Sequence, residues 1–235
     1  MIPSIFRSIF DWSEVWALLI PLAVFFFCKP KSNWQRPVKW YLITALILNC
    51  SLDFVWYVNK YNLFDSRPGH RWNNNIFYNL NSIARLFYFA WFFNCLRQRF
   101  MHRVKAIIPY VFLLFLLVNF IFFENFFPFG KKEAFSSRLL ATESAFLLFY
   151  CLQYFIYLIV EERTNRIAWQ PGFWIVTGLS LYVAVSFFIF LFYEHLMSSN
   201  WEFAVSIWDV HNIAFIILCT GIAKQLLQDC KKGPS

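Results

Sequence analysis

Charge is what this sequence has least of. Only 14% of its 235 residues are Asp, Glu, Lys or Arg, against about 25% in a soluble domain. A chain so poor in charge cannot cover its own surface in water, which excludes an ordinary soluble domain. Glycine is also scarce, with 6 in the chain, and no Gly-rich phosphate loop is present; nor is a GxSxG nucleophile motif. The six cysteines, at 28, 50, 95, 151, 219 and 230, form no CxxC pair and match no zinc spacing. They lie in apolar stretches or near helix ends on the inner side, so no structural disulfide is expected. Among the four histidines there is no pair at i, i+4. His70, His102 and His195 fall in loops or at helix ends, and the histidine set of a seven-helix zinc hydrolase is missing. No lysine occupies the middle of the last apolar stretch, where a retinal pigment of the usual kind needs one; Lys224 falls at its inner end. The first apolar stretch lacks a basic leader and a small-residue cleavage site, and is read as a retained helix.

What is present is apolar length. The composition is 60% hydrophobic and 23% aromatic, with 32 Phe, more than a Leu-, Val- and Ile-based soluble core calls for and suited to a lipid-facing coat. A spanning helix needs about 20 mostly apolar residues. Seven candidates occur, at 13–29, 39–58, 75–95, 105–124, 138–160, 172–194 and 203–225. The third carries several Asn and an Arg and is the least apolar. The expected fold is therefore all-α, a polytopic bundle of seven transmembrane helices. Residues 1–12 form an interfacial segment, 13–225 the membrane domain and 226–235 a short cytoplasmic tail. Within the first segment Ile5, Phe6, Ile9 and Phe10 share one helical face and Trp12 sits at headgroup level. The loop around Phe126, Phe127, Phe129 and Phe135 is apolar enough to lie on the membrane.

The net charge of +8 sits in short loops between apolar stretches, as orientation signals do, and not in a basic domain that would bind nucleic acid. The loops after the first, third and fifth stretches, with the tail, hold 13 Lys and Arg; the other side holds 7, and Arg85 lies within a stretch. The richer side is cytoplasmic by the positive-inside rule. This places the N-terminus outside and the C-terminus inside.

Ionisable groups inside a membrane are costly, and they face a partner or a cavity. The candidates are Glu14, Asp53, Arg85, Glu143, Asp209 and His211, with Asn49, Asn79, Asn81 and Asn212 beside them. With this orientation Asp53, Asn79, Asn81, Glu143, Asp209 and His211 fall in the outer thirds of their helices and Glu14 at the outer end of the first, while Arg85 is near the middle. The spacing supports a shared inward face: Asn74, Tyr78, Asn81 and Arg85 on the third helix; Ser136, Glu143, Tyr150, Tyr154 and Tyr157 on the fifth; Trp208, His211, Phe215 and Ile222 on the seventh. The expected ligand-binding set is Asp53, Asn79, Asn81, Arg85, Glu143, Trp208, His211 and Asn212, in an outward-facing polar and aromatic pocket. The same residues also suit interhelical ties, with Asp53 or Glu143 neutralising Arg85. No residue pattern points to a cofactor, a metal or a catalytic set, although Glu143 and His211 have acid–base chemistry.

The sixth and seventh stretches carry a motif. Pro171, Phe173, Trp174, Ile175, Gly178, Leu181 and Tyr182 spell P-x-F-W-I-x-x-G-x-x-L-Y, followed by Trp208, His211 and Asn212. Glu14 precedes Ile20-Pro21, and the third stretch opens with Asn75, Phe77, Tyr78 and Asn79. Together these resemble a family of uncharacterised seven-helix membrane proteins of Bacteroidota, related to the membrane sensor regions of some histidine kinases. The resemblance implies a sensory or signalling domain in a bacterial inner membrane; the outward-facing pocket makes a receptor for a small molecule or lipid the leading expectation. About ten residues follow the seventh stretch, so a signal is expected to pass to a separate cytoplasmic or membrane partner. A second likeness pairs Trp34-Gln35-Arg36-Pro37 with Trp169-Gln170-Pro171, as in the three-plus-one-plus-three plan of small sugar transporters. Sensor, transporter, enzyme and structural module all remain open on sequence.

Overall fold

A computed structural model of the chain describes residues 10, 12–28, 32–61, 75–96, 101–123, 136–160, 167–199 and 201–231. Among them are seven α-helices and no strand: α1 (Ser13–Phe27), α2 (Gln35–Tyr61), α3 (Asn75–Cys95), α4 (His102–Val118), α5 (Ser137–Val160), α6 (Phe173–Ser199) and α7 (Trp201–Lys231). A π-helical turn, Asn119–Phe123, prolongs α4, and a 3-10 turn, Ile167–Trp169, precedes α6. Five helices are long and apolar enough to cross a membrane: α2, α4 with its π turn, α5, α6 and α7. That is the architecture of an integral membrane protein, because helices satisfy their own backbone groups where no water can. α1 is short at 15 residues, and the 21-residue α3 carries Asn79, Asn81 and Arg85. The expected interfacial segment and the apolar loop after α4 lie outside the described residues, apart from Phe10 and Trp12.

Helix ends follow local hydrogen bonding rather than apolar pattern alone. α2 begins four residues before its apolar run because Ser32 N–H donates to Gln35 Oε1 over 3.2 Å, half of a capping box. Ser136 caps α5, its Oγ accepting from Leu139 N–H at 3.1 Å. α7 continues to Lys231, so residues 226–231, expected in a tail, are helical. Before α6 the chain turns at Gly172, whose φ is +79°; a Cβ there would lie 2.9 Å from Phe92 Cζ.

Six helices form a closed ring. α1 packs on α2 and α7, α2 on α3, α3 on α5, α5 on α6 and α6 on α7. α4 lies outside this ring against α3 and α5, with Tyr110, Leu114 and Phe122 exposed along its outer face. α6 and α7 approach closely at Gly178 and Gly221. A Cβ on Gly221 would stand 2.6 Å from Trp174 O, and one on Gly178 3.0 Å from Leu218 Cα. Small residues at a crossing let backbones meet where lipid supplies no hydrophobic drive. This gives the glycine of the P-x-F-W-I-x-x-G motif a packing role. Phenylalanine is not confined to the coat: Phe89, Phe92, Phe93 and Phe112 are fully buried, and Phe93 stacks on Tyr150 with centroids 5.1 Å apart.

Ring closure also corrects the expectation about cysteine. Cys28, just after α1, and Cys230, near the end of α7, are disulfide-bonded with Cα atoms 5.8 Å apart. Beside them Gln225 Oε1 accepts from Trp174 N–H at 3.1 Å. Its amide and that of Gln35 each donate to Asp229, at 3.3 and 3.2 Å. This polar chain ties α2, α6 and α7 together at the end of the bundle opposite Glu14.

Candidate functional site

A buried ion pair forms the floor of the site. Arg85 is on the inward face of α3 and Glu143 on that of α5, 4% and 0% exposed. Arg85 Nε donates to Glu143 Oε1 and Nη2 to Oε2, both at 2.7 Å. A two-pronged pair of this kind fixes direction as well as charge. Ser82, one turn before Arg85, donates its hydroxyl to Glu143 Oε2 at 3.3 Å.

From Arg85 the bonding passes across the ring. Its Nη1 donates to the Tyr182 hydroxyl on α6. Tyr182 Oη lies 3.4 Å from His211 Nε2 on α7, and His211 Nδ1 lies 3.1 Å from Ser186 Oγ. Ser186 spends its one proton on Tyr182 O at 2.8 Å. It must therefore accept from His211, which places the imidazole proton on Nδ1. His211 Nε2 then accepts the Tyr182 proton. Donor counting thus assigns both the tautomer and the direction of the relay. Glu143, Arg85, Tyr182, His211 and Ser186 form one connected network across four helices.

Above this floor is a small cavity lined from all six ring helices. Glu14, Asn49 and Asn81 edge it, and Tyr78, Phe190 and Trp208 are among its aromatic walls. Trp208 meets Tyr78 edge-on at 5.9 Å and lies 5.3 Å from the His211 ring. Asn81 Nδ2 donates to Asn49 Oδ1 at 3.1 Å, and Asn49 Nδ2 to Glu14 O at 2.9 Å. Asn81 Oδ1 is buried with no hydrogen-bond partner. Arg85 has five N–H donors, and the bonds to Glu143 and Tyr182 use three of them. The free volume is about 20 Å³, enough for a single water, which needs about 10–15 Å³ and two to four polar partners.

The residues marked out by sequence divide into three groups. Asn81, Arg85, Trp208 and His211 line the cavity, and Glu143 lies against it through Arg85. Asn79 and Asn212 serve other bonds: Asn79 Oδ1 accepts from Ser136 N–H at 3.3 Å at the start of α5, and Asn212 Nδ2 donates to Phe10 O at 3.4 Å. Asp53 and Asp209 are half-buried and are not among the lining residues. Arg85 takes Glu143, not Asp53, as its partner. Asn74 lies outside the described residues. Sequence reasoning did not place Tyr182 or Ser186 in the site. Their signal was a pair of hydroxyls at i, i+4, on one face of α6. Among the described residues no cluster of His, Cys, Asp and Glu has the make-up of a metal site.

Searches against protein-family models, curated proteins and solved structures find no match to this chain.

Proposed function

We propose that this chain is a receptor-like protein of a bacterial inner membrane. Its seven helices span the bilayer with the N-terminus outside and the C-terminus in the cytoplasm. A small polar molecule enters from the outer side and binds above Arg85, and a separate partner reads the resulting helix movement. The observation that carries this reading is the convergence of unmet polar capacity on one cavity. Asn81 Oδ1 lacks a donor, Arg85 keeps two N–H groups beyond its bonds to Glu143 and Tyr182, and the Glu14 carboxyl lies at the edge. Protein interiors rarely leave such groups unmet, so they mark where another molecule's groups belong.

The size of the cavity gives the mechanism. A ligand larger than water exceeds the roughly 20 Å³ free in the bundle as it stands. It must part α1 and α7 from α3, and so favours an expanded state. Differential affinity for two states is what lets a ligand shift a conformational equilibrium. Driving the bundle from 1% to 99% expanded takes a preference of about 10⁴-fold. The network through Tyr182 would carry the displacement to α6 and α7. Orientation rests on the 13 Lys and Arg of one side against 7 of the other.

A thermal-shift screen of the purified chain against small polar and cationic compounds tests the reading, with Glu14→Gln and Asn81→Leu compared with wild type. Hits should lose tenfold or more in affinity, about 1.4 kcal/mol, in both variants. Hits that bind both variants as tightly as wild type would place the site elsewhere. The complete pairing of Glu143 with Arg85 favours a second reading, in which the network only ties helices together. That reading predicts no hits at all. Acid–base chemistry by Glu143 and His211 gains no support, since both Glu143 oxygens are held by Arg85 and two side chains separate it from His211.

A further inference from the structure

A second site lies at the Cys28 end of the bundle, far from the Arg85 cavity. Between α1, the 3-10 turn before α6 and the last third of α7 runs a surface groove of about 580 Å³. It follows α7 from Thr220 to Lys231, about 16 Å at 1.5 Å per residue. Its polarity changes along that length. The part nearer mid-bundle is walled by Ile20, Thr220 and Ala223. The part nearer the end is walled by Trp169, Lys224, Gln228 and Lys231.

The polar end is built for an anion. Lys224 Nζ sits 3.1 Å from the centre of the Trp174 ring, a cation–π contact that holds the ammonium at the groove wall. Lys231 adds a second positive charge one helical stretch away. No carboxylate is among the described lining residues. Asp229, the nearest on α7, accepts from Gln35 and Gln225 instead. Gln228 Nε2 donates to Ala168 O at 3.2 Å, while its Oε1 is buried without a partner and calls for a donor such as a hydroxyl. Trp169, half exposed, has the amphipathic ring that settles at membrane interfaces.

From this arrangement we infer that the groove is a binding site for an anionic phospholipid with a hydroxylated headgroup, of the phosphatidylglycerol type. The phosphate lies between Lys224 and Lys231, a headgroup hydroxyl donates to Gln228 Oε1, and an acyl chain runs along Ile20, Thr220 and Ala223. Basic pockets between transmembrane helices bind anionic headgroups in this way. The site is independent of any ligand at Arg85.

Native mass spectrometry of the full-length purified chain, titrated with phosphatidylglycerol or phosphatidylcholine, tests the inference. Each basic side chain is worth about fivefold in affinity for anionic lipid, so the pair gives about 25-fold preference for phosphatidylglycerol. The Lys224→Gln/Lys231→Gln variant should lose that preference, and Lys224→Arg/Lys231→Arg should keep most of it. Thr220→Trp, which fills the acyl channel and spares both lysines, should also weaken retention. Arg36→Gln/Lys39→Gln, which removes two exposed charges elsewhere, should change nothing. Equal retention of the two lipids by wild type would overturn the inference. So would equal loss in the Arg36/Lys39 control, or displacement of the lipid by glycerol phosphate at matching concentration.

Discussion

Removing one member of the Arg85–Glu143 pair should cost far more than removing both. Glu143 is 0% exposed, and its two oxygens take the Nε and Nη2 protons of Arg85 at 2.7 Å. Glu143→Leu leaves a buried guanidinium without its bonded counter-charge, and Arg85→Met leaves a buried carboxylate holding only Ser82. Breaking a buried pair this way costs about 3–5 kcal/mol, or about 10² to 10⁴ in the folded-to-unfolded ratio. In Arg85→Met/Glu143→Leu neither charge is stranded. What remains is the loss of the Arg85 bond to Tyr182 and some misfit, about 1–3 kcal/mol. Additive single effects would total about 6–10 kcal/mol, so the coupling should reach at least about 3 kcal/mol. Reversible unfolding in mixed micelles, with all four proteins compared, gives the cycle. Additive losses, or single variants costing under about 1 kcal/mol, would show that the pair is not the internal anchor described here.

Tyr182→Phe deletes the hydroxyl that accepts from Arg85 and donates to His211; it should destabilise by about 1–3 kcal/mol in the same unfolding assay, and Ser186→Ala by less. Gly221→Ala puts a Cβ 2.6 Å from Trp174 O and forces α6 and α7 apart, which should lower the melting temperature by an amount equivalent to about 1–3 kcal/mol; an unchanged melting temperature would mean that the crossing is looser than described. Under oxidising conditions Cys28 and Cys230 should resist alkylation, and Cys28→Ser should release Cys230 for labelling, counted by intact-mass analysis. In the proposed orientation this bond faces the cytoplasm, where thiols are kept reduced, so protein alkylated inside cells should carry both thiols modified.

Apolar length carried most of the fold. The stretches at 105–124, 138–160 and 172–194 match α4 with its π turn, α5 and α6 within a few residues, except that α6 runs on to Ser199. α3 was also legible, despite its Asn and Arg residues, because its polar groups recur at helical spacing. The same periodicity put Arg85, Glu143 and His211 on inward faces. It could not say which carboxylate meets Arg85, since that depends on α3 packing against α5 and not on depth alone. Asn79 and Asn212 bond to Ser136 N–H and Phe10 O, contacts that sequence does not reveal because a cap or a tether looks the same there as a pocket lining. Tyr182 went unplaced because a hydroxyl in the sequence does not show which neighbouring helix it will face. The Cys28–Cys230 pairing was hidden by a sequence separation of 202 that only ring closure between α1 and α7 brings together.

The central claim is that a small molecule occupies the cavity above Arg85 by expanding the bundle. The most direct measurement is an experimental structure of the full chain with its highest-affinity screening hit. The account predicts density bounded by Glu14, Asn81, Arg85 and Trp208, with α1 and α7 displaced from α3 relative to the ligand-free protein. Density for the compound elsewhere, with the cavity still closed to about 20 Å³, would contradict it.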